Sequence, residues 1–188
     1  LRIVMASRLP QWALTAFNIL GFQAVWLLCV YGAGNGRWLP GIFAAAVFAA
    51  LTLWFSHDRN RDLRTLAIAL PIGFAMDSLL AQSSHLSFAS PFPWADWAPA
   101  WIMALWLGFA LTLNHSLQSV YRKALPTFLF GLIGGPLAYG IASMRFGAMS
   151  VESDMLACAL LVGLVWGTGL SLIRWIDISL ISRKGLTA

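Results

Sequence analysis

Six apolar stretches separated by short polar breaks constrain this chain more than any other feature. They cover roughly residues 11–32, 39–56, 64–84, 98–118, 125–144 and 153–175. At about 1.5 Å per helical residue, stretches of roughly 18 to 23 residues reach across a hydrocarbon core about 30 Å thick. The expected fold is therefore all-α: a polytopic integral membrane protein, one six-helix domain over residues 1–188. Alternating the breaks puts Arg2, Arg8, Arg59, Arg61, Arg64, Arg122, Lys123, Arg174, Arg183 and Lys184 on one face and leaves Arg37 and Arg145 on the other. Loops rich in Lys and Arg stay in the cytoplasm, so both termini are expected there.

Composition reaches the same class independently. With 60% hydrophobic residues, 10% charged residues and a mean hydropathy of +0.77, a soluble domain would have too little polar surface to cover itself. The net charge of +5 is scattered over several breaks rather than gathered in a patch, which points to anionic lipid headgroups and away from nucleic acid. Two Arg precede Trp12 as in a signal peptide, but no small-x-small cleavage pattern follows, and the first stretch is read as a retained span. The two cysteines form no C-x-x-C pair. Cys29 and Cys158 fall at similar depths, where a disulfide is geometrically conceivable, but small apolar packing residues are the simpler reading.

An ionisable side chain in hydrocarbon costs at least about 2.5 kcal/mol on insertion scales, so it needs a partner, water or a role. Asp77 is the one carboxylate placed well inside a stretch, about 19 Å from Arg64. Counted the same way, Gln23 lies about 18 Å from Gln11 and Tyr139 about 21 Å from Leu125, so all three can meet at one level. A second polar set, Asn18, Asn114, His115 and Ser171, lies nearer the cytoplasm. Asn114 and His115, taken as neighbours on a helix, point about 100° apart and should face different partners. The run Ser56 to Asp62 reads as a solvated loop, and His57 with Asp58 would need a third partner to hold a metal. Pro71 removes a helical donor from the third stretch. The segment Ser83 to Trp97, rich in Pro and aromatics, is expected as an interfacial loop or partial helix.

Small residues spaced by four (Ala159, Gly163, Gly167, Ser171), facing the row Gly131, Gly135, Ala138 and Ala142, predict close packing of the last two helices. No H-E-x-x-H, G-x-S-x-G, P-loop or desaturase-type histidine set occurs. No cofactor or metal is therefore expected, and no catalytic residue is assigned.

Asp77-Ser78, Asn114-His115-Ser116-Leu117, Gly134-Gly135-Pro136-Leu137-Ala138-Tyr139 and Arg145-Phe146-Gly147-Ala148 occur in this order. Together they resemble a family of small bacterial inner-membrane proteins catalogued as domain of unknown function 2878, from Asn18 to about Trp175. The resemblance implies an inner (cytoplasmic) membrane location. It also implies a lipid-related setting, since such proteins are often encoded near enzymes that modify membrane fatty acids. It carries no activity and no catalytic residue.

Two functions follow as expectations. The first is binding of a membrane lipid, a membrane protein partner or a second copy of the chain through Asp77, Gln23, Tyr139, Asn18, Asn114 and His115. The alternative is a small proton-coupled transporter with Asp77 at the midplane, which would use Pro71 and Pro136 as helix breaks. A lipid-modifying enzyme with His115 as base and Asp77 as acid is disfavoured, because their depths differ by about 14 Å.

Overall fold

The apolar stretches fold as helices in the computed structural model, which describes residues 10–185, with side chains through Ile181. Arg2, Arg8 and the side chains of Arg183 and Lys184 lie outside the described residues. The elements are α1 (Gln11–Gly34), α2 (Leu39–Phe55), α3 (Arg59–Gln82), β1 (Leu86–Phe88), α4 (Ala100–Leu113), α5 (Gln118–Tyr121), α6 (Ala124–Phe146), β2 (Met149–Val151) and α7 (Met155–Gly185).

Local chemistry sets many of the ends. Asp58 caps α3 by accepting from the Arg61 N–H at 3.0 Å, and Asp154 accepts from Ala157 N–H at 2.9 Å at the start of α7. Helix α6 ends at Gly147 with φ of 60°, where the N–H groups of Gly147 and Ala148 return to the carbonyls of Ser143 and Ala142. Pro71 and Pro136 both lie inside continuous helices.

Four helices, α1, α3, α6 and α7, are long and apolar enough to cross a membrane. Helices α2, of 17 residues, and α4, of 14 residues, are shorter, about 26 and 21 Å. The fourth expected span, 98–118, is thus overestimated. The N–H groups of His115 and Leu117 both bond to Thr112 O, which closes the helix at Leu113 and turns the chain into α5.

Helix α4 is enclosed by α1, α2 and α3, and α7 packs on α3 and α6. Enclosure explains how a 14-residue helix, apolar on every side, earns its place without facing lipid. Trp101, Trp106, Ala110 and Leu111 are almost completely buried there.

Helices α6 and α7 meet backbone to backbone. A Cβ on Gly131 would lie 2.5 Å from Trp166 O, and one on Gly163 would lie 2.6 Å from Leu132 O. Gly135 sits under the Trp166 side chain and Gly167 against Phe128. Cys29 and Cys158 are both free and buried, and Cys29 packs against Gly41 of α2.

The segment after α3 holds no partial helix. Its β1 pairs antiparallel with β2, with Leu86, Ser87 and Phe88 opposite Val151, Ser150 and Met149. Ser78 Oγ accepts from Ala98 N–H at 3.1 Å, and the Trp101 indole N–H donates to Ala89 O at 2.9 Å, so the following loop is pinned down as well.

Candidate intramembrane cavity and its polar supports

A cavity of about 330 Å³ lies among α1, α4, α6 and α7. Its walls are mostly rings: Phe22 and Trp26 from α1, Trp101 and Trp106 from α4, Tyr139 from α6 and Trp166 from α7. Trp106 and Trp166 stack with centroids 4.8 Å apart, and Tyr139 meets Trp166 edge-on at 5.9 Å. The ribbon roofs the cavity, with Met149 in its lining and Phe88 against Trp101 and Tyr139. Helices α1 and α6 meet where Gly34 approaches Phe146 O and Trp26 meets the Phe146 ring. Among the lining residues, Gln23 of α1 and Phe130 and Ile141 of α6 are exposed, and they mark the mouth of the cavity.

Asp77 of α3 borders the same cavity. Its residue surface is 0% exposed, Tyr139 Oη donates to Oδ1, and the Trp106 indole N–H donates to Oδ2 at 2.6 Å. Both carboxyl oxygens are engaged, so Asp77 holds two rings of the cavity in place rather than presenting a free group to its interior. Gln23, placed at the same depth by counting residues, lines the same cavity but makes no hydrogen bond to Asp77 or to any other described residue. Nothing in the sequence singles out Trp106 as a partner of Asp77. Its role becomes visible once α3 and α4 are paired.

A second polar cluster lies at the opposite, basic end. Asp62, 2% exposed, receives Ser56 Oγ at 2.5 Å and Asn114 Nδ2 at 3.0 Å, and His115 Nε2 lies 3.0 Å from its Oδ2. Asn114 Nδ2 also donates to Thr65 Oγ1 at 2.8 Å. Nearby, Arg64 pairs with Asp177 at 2.7 Å, and Tyr121 donates to the same carboxylate at 3.4 Å. Burial, with the Asp177 charge beside it, pushes the Tyr121 hydroxyl above its usual range and keeps it protonated.

This cluster corrects three expectations. Asn114 and His115 face one partner, Asp62, because the helix has ended at Leu113 and the 100° helical offset no longer applies. Asp62 is a buried residue in the first turn of α3, not part of a solvated loop. Asn18 does reach this region, accepting from Ser116 N–H at 3.2 Å and from Ser116 Oγ at 2.6 Å, whereas Ser171 Oγ bonds within its own helix to Gly167 O at 2.8 Å.

Two arginines at this end finish helices. Arg59 donates to the carbonyls of Leu53 and Trp54 at the end of α2, and Arg174 donates to those of Tyr121 and Arg122 after α5. Asn18, Thr52, His57 and His115 border a water-sized cavity of about 30 Å³, with Asn18 Nδ2 and Thr52 Oγ1 buried and unpartnered. Among the described residues no group of three His, Cys, Asp or Glu side chains is arranged to hold a metal ion.

The whole cavity lining and the partners of Asp77 and Asp62 fall within residues 15–172, with Arg174 and Asp177 just beyond, and that span is matched by the profile of the family described as proteins of unknown function, DUF2878. The chain belongs to the DUF2878 family. No curated protein and no solved structure matches this DUF2878 protein. Its cavity and clusters therefore have to be read from their own chemistry.

Proposed function

We propose that this DUF2878 protein is a six-helix membrane protein that binds a small membrane-dissolved lipid in the cavity walled by Trp106, Tyr139 and Trp166. The single observation that carries this reading is the cavity itself: apolar, aromatic-walled and bordered by exposed residues of α1 and α6, two of the helices apolar enough to cross a membrane. Its volume of about 330 Å³ falls at the small end of the roughly 300–1,000 Å³ range of ligand pockets. That room suits one slender chain or ring system rather than a two-tailed phospholipid.

In this reading α2 and α4 complete six crossings and both chain ends lie in the cytoplasm of a bacterial inner membrane. The charge distribution supports this orientation: Arg59, Arg61, Arg64, Arg122, Lys123 and Arg174 gather at one end of the bundle, against Arg37 and Arg145 at the other. A link to membrane fatty-acid modification fits the same reading, with the protein as a holder of the lipid rather than its catalyst. Proton-coupled transport draws less support. Asp62 and Asp77 lie fifteen residues, about 22 Å, apart along α3, and the buried face between them is mostly apolar: Leu66, Ala69, Gly73 and Met76.

The test uses Gly134, which lines the cavity and has only Phe130 Cζ, at 4.0 Å, near an added Cβ. Gly134→Phe has room for its Cβ and should place its ring in the cavity. Mass spectrometry of lipids co-purifying with the wild-type protein should find one apolar species that the variant loses. Identical lipid profiles from both proteins would overturn the reading.

A further inference from the structure

We infer that the cavity selects an uncharged, single-chain or ring lipid bearing one hydrogen-bonding oxygen, and that the Gln23 amide at the mouth reads that oxygen. The inference rests on the lipid-binding reading above and specifies its ligand.

Among the described residues no Lys, Arg or His lines the cavity. A carboxylate or phosphate inside it would have no countercharge, and burying an unpaired charge is among the least favourable events in an apolar site. The opposite sign fares no better. Among the described residues Asp77 is the one carboxylate in the lining, and its two oxygens are already engaged by Tyr139 and Trp106. A cation would have to compete with those hydrogen bonds for a carboxylate that is 0% exposed.

A neutral chain meets neither penalty, and the aromatic walls offer it dispersion contacts along its length. The polar group left to orient it is Gln23, halfway along α1, exposed at the mouth and with its amide making no hydrogen bond among the described residues. An amide both donates and accepts, so it matches a hydroxyl, a ketone or an ester carbonyl equally well. Of the indole groups near the cavity, the Trp106 N–H is held by Asp77, and Trp166 Nε1 is buried with no hydrogen-bond partner among the described residues. A ligand entering between α1 and α6 would seat its chain against the rings and leave its oxygen at Gln23.

The experiment is native mass spectrometry of the purified full chain with a matched series of probes: 1-dodecanol, dodecane, ionised dodecanoate and dodecyltrimethylammonium. Wild type should retain 1-dodecanol as a one-to-one adduct at least about tenfold more than either charged probe, and Gly134→Phe should lose it. Gln23→Leu should reduce retention of 1-dodecanol to that of dodecane while leaving dodecane binding unchanged. Retention of dodecanoate or dodecyltrimethylammonium at the level of 1-dodecanol would overturn the inference and leave lipid binding standing. Equal retention of 1-dodecanol and dodecane by wild type would remove Gln23 as the reader. Failure of every probe to distinguish wild type from Gly134→Phe would overturn the lipid-binding reading itself.

Discussion

Replacing Asp77 separates a side chain that holds the cavity wall from one that merely tolerates its position. The Trp106 indole N–H can only donate, whereas the Tyr139 hydroxyl can donate or accept. Asp77→Ala removes the acceptor of both and leaves two buried polar groups without partners. Hydrogen bonds between membrane helices average about 0.6 kcal/mol and reach about 1.7 kcal/mol, so the loss should be about 1 to 3 kcal/mol. Asp77→Asn should behave differently. Its oxygen can accept from Trp106 while its amide donates to a reoriented Tyr139 hydroxyl, which keeps both links and costs well under about 1 kcal/mol.

Tyr139→Phe combined with Asp77→Asn strands that amide and should restore much of the penalty. Reversible unfolding in mixed micelles, followed by tryptophan emission, measures the three variants against wild type. Asp77→Ala as stable as wild type, or Asp77→Asn as damaging as Asp77→Ala, would refute the assignment of Asp77 as the post that holds these two rings.

Gly163→Leu should weaken the α6–α7 contact by about 1 to 3 kcal/mol or more, because its Cβ would fall 2.6 Å from Leu132 O. Gly140→Ala, with no neighbour within 4 Å of its Cβ, should leave stability unchanged or raise it by up to about 1 kcal/mol in the same unfolding assay. Asp62→Ala leaves Asn114, His115 and Ser56 without their shared acceptor and should cost about 1 to 3 kcal/mol, read as a lowered thermal midpoint. A membrane-impermeant thiol reagent applied to intact cells should label Asn35→Cys and spare Asn60→Cys, both exposed positions, against the low background of the buried Cys29 and Cys158. Labelling at position 60 alone would reverse the proposed orientation.

Depth counting along apolar runs brought Asp77 and Tyr139 to one level because helical rise is constant, and the structure joins them by a hydrogen bond. The same counting could not pair Asp77 with Trp106, since it gives height along a helix and not which helices are neighbours. Asp62 was legible and was passed over. Asp62, Ala69 and Met76 recur at seven-residue intervals on the buried face of α3, a period that places the acid inward despite the arginines around it. Asp177 was missed for a related reason: its helix continues past the apolar run, to Gly185. The Asn114–His115 pair misled because an apolar window gives no sign of where the backbone stops being helical. The ribbon was out of reach, since each strand has three residues and its partner lies more than sixty positions away.

The enclosure of α4 bears on how the chain is put together in a cell. A segment only about 21 Å long is a weak candidate for independent entry into a bilayer, whatever its hydrophobicity. If the chain makes the six crossings proposed above, α4 enters as the guest of α1, α2 and α3, which precede it during synthesis and surround it afterwards. Damage to those three helices should therefore appear first as a failed insertion of α4, leaving a chain that never acquires the floor on which its aromatic wall is built.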